Sequence, residues 1–462
     1  MGRHVPCCQG LVQRDRHKPE DSVLYRVVQG HLAEFLRRAR EFDGVGMPYF
    51  VEQAFQAFLT CGLMEFGFAR VVCACGHEEA VAFSCKKRGV CPLCMGRMMA
   101  DRSAHLVDNV LPTAPIRQWV VGFPFAVQRA LAFRPKALAD AERMIQRHLL
   151  AFMAQRAGGK SGGLFVRHRM GSSLNVAPHG HILLLDGAYQ GEDAPVFKAA
   201  PPLRQEELDA LCLKMAASLR RVLKKHKLHD DATAAQPDAL AAATAAGMER
   251  GAREKSGPAL SLVDEDEVEN PRARLVANAG GLNVYASPIV GGKDREGLER
   301  LVSYLLRPPF ATSRFFLRDD GLVGYRMKKA DRKGNTVLVM DPVQLLGRLA
   351  ALIPAPRRQT HRLFGVLGAA SKIRSQIVPK ATHRKPAKAS VNDDDPPAYK
   401  QVIDWAELLQ RTFLIDPLCC PRCSGRMRVV AVIRDTFQAR RFAAHVGTAR
   451  DTRVTGPPEL AA

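Results

Sequence analysis

The chain has 462 residues and a formal net charge of +22 at pH 7. This length predicts about two to four domains, and a composition of 47% hydrophobic and 25% charged residues excludes a chain dominated by disorder. The basic excess favours a polyanionic partner, and because no apolar run reaches the ~18 residues of a membrane span, we expect nucleic acid and no membrane. The N-terminal segment lacks the apolar centre of a signal peptide, so we expect a cytoplasmic protein.

The spacing of apolar residues predicts a mixed α/β fold. Residues 20–60 are predicted to be helical, because apolar side chains recur there at intervals of three and four residues. The later predicted elements are a strand at 116–126, a helix at 135–156, two strands within 164–189, a helix at 204–226, a strand at 282–290, helices at 295–306, 342–352 and 402–413, and a hairpin formed by 322–328 and 336–340.

Shifts in composition divide the chain into seven predicted segments. A stretch rich in Ala, Asp and Gly at about 229–275 is predicted to be an insertion in the largest of them. The segments are an N-terminal helical segment (1–60), a cysteine-rich domain (61–112), a large α/β domain (113–345), a basic region (346–380), a linker (381–398), a cysteine-containing unit (399–434) and a tail (435–462).

Six of the twelve cysteines lie between Cys61 and Cys94, which indicates metal binding rather than scattered core thiols. Cys91 and Cys94 have the Cys-x-x-Cys spacing that supplies two ligands of a tetrahedral zinc site. The other two ligands remain open, and a set of buried free thiols is the alternative to zinc. The candidates are Cys73, Cys75, His77 and Cys85, with Cys61 as a further one. The basic residues threaded through this cluster, Lys86, Lys87 and Arg88 among them, predict contact with phosphate.

A second cysteine group lies near the C-terminus. Cys420 and Cys423 form one further Cys-x-x-Cys pair, but no second pair follows nearby. Because a structural zinc site normally needs four ligands, a weak second metal site and a role without metal both remain open.

His179 and His181 are two residues apart on a predicted strand, so both imidazoles project from the same face. Two neutral imidazoles suit a divalent metal ion that polarises a phosphodiester oxygen. This spacing alone is weak evidence for a metal site. The third protein ligand is not identified, and the candidates are His168, Gln128 and Asn175.

Tyr304 lies at the edge of the apolar stripe of the predicted helix at 295–306. It is either an aromatic residue that packs its ring and exposes its hydroxyl, or a nucleophile. The helical pattern does not choose between the two.

Taken together and in order, several stretches resemble the insertion sequence 91 family of rolling-circle transposases in the HUH endonuclease superfamily. The resemblance extends from about residue 25 to about residue 434. It depends on FSCKKRGVCPLC with RSAHLVDNVLPTAPIRQWVVGFP behind it, LNVAPHGHILLLDGAY, LERLVSYLLRPP, LLGRLAALIPAPRRQTHRLFGVLGAASKIRSQIVP and WAELLQRTFLIDPLCCPRC.

The resemblance implies a zinc-binding domain, a central HUH nuclease domain with an antiparallel sheet, and a basic C-terminal region. His179 and His181 match the metal-binding pair of HUH enzymes, and Tyr304 matches the catalytic tyrosine. Cys75, Cys91 and Cys94 match zinc ligands, with the fourth ligand open between Cys73 and Cys85.

Two positions depart from the family pattern. The central residue of the His-x-His motif is normally hydrophobic and here is Gly180, which is expected to loosen the site. A second tyrosine found in some relatives is replaced by Arg300, so the chain resembles a single-tyrosine member.

The resemblance implies an enzyme that cleaves and rejoins single-stranded DNA at transposon ends through a 5′-phosphotyrosine, with structural Zn²⁺ and catalytic Mg²⁺ or Mn²⁺. A zinc-containing DNA-binding protein without catalysis is one alternative, and a replication initiator or relaxase is another. Besides the basic residues of the cysteine cluster, the candidate DNA contacts are Arg307, Arg357, Arg358, Arg362, Lys372 and Arg374.

Overall fold

The computed structural model describes residues 18–171, 174–228, 275–327, 330, 334–379 and 418–445. The predicted linker at 381–398, the predicted helix at 402–413 and nearly all of the predicted insertion lie outside these ranges. Among the described residues, no helix is both long and apolar enough to span a membrane.

The N-terminal segment contains two helices, α1 (Val23–Asp43) and α2 (Tyr49–Leu59). The Ser22 hydroxyl caps α1 by accepting a hydrogen bond from the Tyr25 amide. The helix ends at Gly44, which adopts a left-handed φ of +73°. The continuous helix predicted for residues 20–60 is therefore interrupted by a turn.

The cysteine-rich domain has two short strands and one long helix. The elements are β1 (Phe68–Val72), β2 (Glu78–Ala82) and α3 (Pro92–Asn109). Helix α3 begins at Cys91-Pro92, because a proline in the first helical position needs no amide partner.

The remaining elements confirm most of the predicted helices and strands, including the helices at 295–306 and 342–352 and the paired hairpin strands. The predicted strand at 116–126 ends earlier, at Gly122, because Pro124 precedes a new helix. Between residues 116 and 225 these elements are β3 (Ile116–Gly122), α4 (Phe125–Phe133), α5 (Pro135–Ala157), β4 (Gly162–Met170), β5 (Val176–Leu185), β6 (Gly187–Gln190), β7 (Val196–Ala199) and α6 (Gln205–Lys225). After residue 275 they are β8 (Val276–Ala279), β9 (Leu282–Val290), α7 (Arg295–Leu306), β10 (Phe315–Leu317), β11 (Val323–Arg326), β12 (Val337–Met340), α8 (Pro342–Leu352), β13 (His361–Gly365), α9 (Arg374–Ile377), β14 (Arg428–Ile433) and α10 (Thr436–His445).

A six-stranded antiparallel sheet lies at the centre of the fold, with the strand order β13-β4-β5-β3-β9-β8. Side chains alternate between its two faces, so each face has its own apolar core. Phe165 and Leu184 face α4, α5 and α6, whereas Leu164 and Leu183 face α3 and α7. The predicted mixed α/β fold with a central antiparallel sheet is confirmed.

A third core joins α1 and α2 to the three-stranded sheet β10-β11-β12 and to α8. The predicted domain boundary between residues 345 and 346 falls inside α8, which is one continuous helix. The predicted tail likewise begins with a structured element, helix α10.

A buried ion pair joins β3 to the end of β5. The Arg117 guanidinium donates two hydrogen bonds to the Asp186 carboxylate, at 2.9 and 3.0 Å, and both residues are buried. Removing one partner of such a pair leaves the other charge buried without compensation.

We expect Arg117→Met to lower the free energy of unfolding of the central sheet by about 3–5 kcal/mol. Glu34→Gln on α1 is the control, because Glu34 belongs to an exposed ion pair worth about 0–1 kcal/mol. Denaturation followed by the fluorescence of the buried Trp119 measures the difference. Equal unfolding midpoints for the two variants would contradict this assignment.

Candidate functional site

Three histidines meet on one face of the central sheet. The antiparallel register of β4 and β5 places His168 directly opposite His179, and His181 lies two residues further along β5. Their ring centroids are 4.2 to 5.3 Å apart, and one ligand nitrogen from each ring lies within 4.8 Å of the others. The structure thus brings His179 and His181 together as the sequence predicts and adds His168 from the neighbouring strand.

Hydrogen bonds orient two of these rings. His179 Nδ1 lies 2.8 Å from the Ala177 carbonyl oxygen, and His168 Nε2 lies 2.7 Å from the Leu305 carbonyl oxygen. Since a carbonyl only accepts, each of these nitrogens is the donor, and the opposite ring nitrogen is the one suited to bind a metal. Such partners are typical of histidines that bind metals.

The third ring, that of His181, is buried, and among the described residues its Nδ1 has no hydrogen-bond partner. Burial, followed by electrostatic interaction with His168, His179 and Arg307, lowers the pKa of His181 well below its usual range. His181 is therefore neutral at pH 7, which is the form that binds a metal ion. A divalent cation fits this donor set.

The other two candidates for the third ligand have contacts of their own. The side-chain amide of Gln128 donates a hydrogen bond of 2.8 Å to the Phe123 carbonyl, and Asn175 lies against Gly171. Among the His, Cys, Asp and Glu side chains of the described residues, the three histidines are the ones that converge here.

Gly180, between the two metal-binding histidines, faces the opposite side of the sheet. A Cβ atom built on Gly180 would lie 2.5 Å from Cζ of Phe165, a distance that real Cβ atoms do not tolerate. Phe165 is buried, and its ring occupies the space that a side chain at Gly180 would enter. The expected loosening of the site stays a prediction.

Tyr304 lies on α7, next to the histidine cluster. The Leu305 carbonyl that accepts the hydrogen bond from His168 belongs to the same helical turn. The Arg307 guanidinium stacks over the Tyr304 ring at 3.8 Å from its centroid, and its charge also acts on His181. The helix that carries Tyr304 therefore contacts the histidine cluster through Leu305.

The helix that carries Tyr304 is attached to the cysteine-rich domain. Arg295, in its first turn, donates hydrogen bonds to the carbonyls of Leu111 and Pro112 at 3.0 and 3.3 Å, and to that of Val107. These carbonyls lie at the C-terminal end of α3, where backbone acceptors lack helical partners. The cysteine-rich domain thereby helps to fix the position of Tyr304.

Three other tyrosines of the same region, Tyr285, Tyr189 and Tyr325, are alternative candidates for the nucleophile and are less exposed than Tyr304. Tyr285, Tyr189 and Tyr325 are 5%, 8% and 2% exposed, whereas Tyr304 is only half-buried. Burial raises the pKa of Tyr189 and of Tyr325. Among these four residues, Tyr304 has the most exposed side chain.

Eight of the described cysteines form two clusters of four. The first contains Cys61, Cys85, Cys91 and Cys94, with sulfur atoms 3.5 to 3.6 Å apart in the three closest pairs. A tetrahedral zinc ion with ~2.3 Å bonds to sulfur requires a spacing of about 3.8 Å between sulfurs, so this cluster fits zinc. Hydrogen bonding, first of all with Cys61, lowers the pKa of Cys94 and raises that of Cys91.

The second cluster contains Cys73, Cys75, Cys420 and Cys423. Cys75 was expected to join Cys91 and Cys94, with either Cys73 or Cys85 as the fourth ligand. Cys85 is in the first cluster, whereas Cys73 and Cys75 follow β1 and lie beside the C-terminal cysteines. In the first cluster, Cys61 is the fourth ligand candidate beside Cys85, Cys91 and Cys94, where the sequence predicted Cys75. A hydrogen bond from the His77 amide is the main cause that lowers the pKa of Cys75 to about 7.

The basic residues that the sequence singles out lie in several places. Arg357, Arg358, Arg362, Lys372 and Lys86 are exposed, and Lys87, Arg88 and Arg374 are half-buried. On β13, Arg362 lies opposite Phe165 of β4 in the strand register. Its side chain lines a cavity of about 950 Å³ between α5 and α6, on the side of the sheet opposite the histidines. These residues do not form one continuous surface around Tyr304.

Comparison with known families agrees with this arrangement. The transposase family model Y2_Tnp matches residues 162–374, which include the three histidines and Tyr304. The model of the IS91 transposase zinc-binding domain matches residues 27–123, which include the first cysteine cluster. Both matches end before Cys420. No curated protein and no solved structure matches the chain.

The two matched segments together cover more than half of the chain and define a DNA-processing enzyme with a zinc-binding domain. The chain belongs to the insertion sequence 91 family of transposases, and DNA is its partner.

We expect Gly180→Val to destabilise the central sheet by about 1–3 kcal/mol, because the new side chain overlaps the Phe165 ring. The double variant Gly180→Val/Phe165→Ala should lose less stability than the sum of the two single variants, since the valine then occupies vacated volume. Urea denaturation of Gly180→Val, Phe165→Ala and the double variant measures the interaction. Gly30→Ala on α1, where an added Cβ meets nothing within 4 Å, is the neutral control. Strictly additive effects of the two substitutions would contradict the contact.

Proposed function

We propose that this transposase cleaves and rejoins single-stranded DNA at transposon ends, with Tyr304 as the nucleophile and Mg²⁺ or Mn²⁺ held by His168, His179 and His181. The observation that carries the proposal is the hydrogen bond from His168 to the Leu305 carbonyl, which joins the three-histidine cluster to the tyrosine helix. A metal site and a half-exposed nucleophile held side by side are what a phosphodiester transesterification requires.

A divalent ion bound by the three histidines supplies charge neutralisation at the phosphate oxygens, worth several kcal/mol in the transition state. Tyr304 Oη forms a bond to phosphorus while the bond from phosphorus to the 3′ oxygen breaks. The phenol loses its proton to solvent, and the departing 3′ oxygen takes one up. The products are a 5′-phosphotyrosine and a free 3′-hydroxyl.

Arg307 has a positioning role in this scheme. Its guanidinium stacks on the Tyr304 ring, and its positive charge would attract the phosphate that Tyr304 attacks. Because the covalent intermediate retains a phosphodiester bond, attack by a 3′-hydroxyl of target DNA reverses the chemistry and rejoins the strands without a nucleotide cofactor.

We expect Tyr304→Phe to abolish the covalent adduct with a labelled single-stranded transposon end in the presence of Mn²⁺, because the substitution removes the attacking oxygen and keeps the ring. Noncovalent DNA binding should stay within about twofold of the original, since one hydroxyl adds little to an interaction dominated by phosphate charges. Tyr285→Phe is the matched control and should form the adduct normally.

Adduct formation by Tyr304→Phe, or peptide mapping that places the DNA on Tyr285, Tyr189 or Tyr325, would overturn the assignment. A protein that binds the DNA and never forms an adduct fits the alternative of a binding protein without catalysis.

We expect His181→Ala to abolish adduct formation by loss of the metal. Titration with Mn²⁺, followed by the loss of its free-ion electron paramagnetic resonance signal, should show bound manganese in the original protein and weak or no binding in the variant. His105→Ala, which removes an exposed histidine outside the cluster, should bind manganese normally. Equal manganese binding by both variants would exclude the histidine cluster as the metal site.

We expect binding to single-stranded DNA to weaken steeply as salt is raised, because a chain of net charge +22 releases counterions from the phosphates it neutralises. Arg357→Ala/Arg358→Ala should lower the slope of log K against log salt by about 1–2, at ~0.7 for each phosphate that is no longer neutralised. Arg37→Ala, which removes an arginine paired with Glu34 and Glu41, should leave the slope unchanged. A slope that is flat in the original protein would contradict the electrostatic interaction.

A further inference from the structure

The second cysteine cluster joins two parts of the chain that are about 350 residues apart. Cys73 and Cys75 follow β1, whereas Cys420 and Cys423 precede β14. We propose that these four thiolates bind a second structural zinc ion, which fastens the C-terminal unit, residues 418–445, to the cysteine-rich domain.

The sulfur positions fit a closed tetrahedral site. Cys73 Sγ lies 3.4 Å from Cys423 Sγ, Cys75 Sγ lies 3.6 Å from Cys420 Sγ, and all four sulfurs lie within 4.8 Å of one another. Zinc bound to four sulfurs at ~2.3 Å needs spacings of about 3.8 Å. Small movements of the side chains are enough to meet this requirement.

Each pair of cysteines lies on a tight turn held by backbone hydrogen bonds. In the first turn the Gly76 amide donates to the Cys73 carbonyl at 3.0 Å, and Gly76 has a φ of +84°. In the second turn the Ser424 amide donates to the Cys420 carbonyl at 2.8 Å. The turns aim two sulfurs from each side at one point, as in zinc sites built from paired turns.

Gly425 shows how closely the backbone approaches the sulfurs. A Cβ atom on Gly425 would lie 3.2 Å from Cys423 Sγ and 3.5 Å from Cys73 Sγ. A side chain there would press on the cluster, and the Gly425 carbonyl also accepts a hydrogen bond from the Cys420 amide at 2.9 Å. The turn is thus packed directly around the four sulfur atoms.

The interface that this zinc would secure is otherwise small. Strand β14 pairs antiparallel with β1 over five residue pairs and completes the sheet β14-β1-β2. Among the described residues, its apolar contacts form two small clusters, one around Phe68, whose ring lies 4.7 Å from that of Phe442, and one around Val71 and Met427. Units with so small a core generally need a metal or a disulfide to remain folded.

Zinc here would therefore control whether the C-terminal unit is docked. The two ligand pairs are far apart in sequence, so bringing them together costs conformational entropy. A zinc ion bound by both pairs would close this long loop and offset that cost. The proposal does not depend on the chemistry assigned to Tyr304, since it concerns cysteines outside that site.

Metal analysis of the purified full chain tests the proposal. After dialysis against metal-free buffer, the original protein should retain about two zinc ions per chain, one for each four-cysteine cluster. Cys420→Ser/Cys423→Ser should retain about one, and limited proteolysis should then cut residues 418–445 faster. The control Cys212→Ser changes a buried thiol outside both clusters and should retain two.

One zinc ion in the original protein, or two in Cys420→Ser/Cys423→Ser, would overturn the proposal. The second result would mean that Cys73 and Cys75 bind metal without the C-terminal cysteines. Neither result affects the adduct assay on Tyr304, so the two proposals fail separately.

Alkylation of the unmodified protein gives a test without any variant. Cys75 and Cys423 are exposed, so as free thiols they should react quickly with iodoacetamide. Bound to zinc they should react slowly until a chelator is added, and mass spectrometry of the peptides follows each site. Buried Cys212 should stay unlabelled in both conditions. Fast labelling of Cys75 and Cys423 before chelation would overturn the proposal.

Discussion

The register of β4 against β5 is the constraint on which the candidate site depends. Because these strands pair antiparallel with His168 opposite His179, three imidazoles converge on one face. A shift by one residue would move His179 and His181 to the other face of the sheet, where Phe165 packs against α5. The buried apolar residues of both strands, which face two separate cores, keep the register in place.

The rest of the site is assembled around this pair of strands by contacts from distant parts of the chain. His168 donates to the Leu305 carbonyl on α7, and Arg295 on the same helix donates to carbonyls at the end of α3. Helix α3 begins at the first cysteine cluster. The first cysteine cluster, α3 and the helix that carries Tyr304 are therefore joined by a continuous series of contacts.

Local patterns in the sequence were sufficient to predict some of the residues of the candidate site but not the others. The spacing of His179 and His181 fixes their common face, and the apolar stripe of α7 places Tyr304 at its edge, because both follow from the period of one element. The roles of His168, Cys61 and Cys420 depend on which segments pair in space. The same limitation applies to Gly180, since only the tertiary structure shows that the Phe165 ring occupies the space that a side chain there would enter.

A crystal of the protein grown with Mn²⁺ and measured near the manganese absorption edge tests the proposed metal site most directly. We expect one strong anomalous peak bound by nitrogen atoms of His168, His179 and His181, on the side of the sheet that faces Tyr304. An empty histidine cluster at saturating manganese, or a peak held by other residues, would contradict the proposed site.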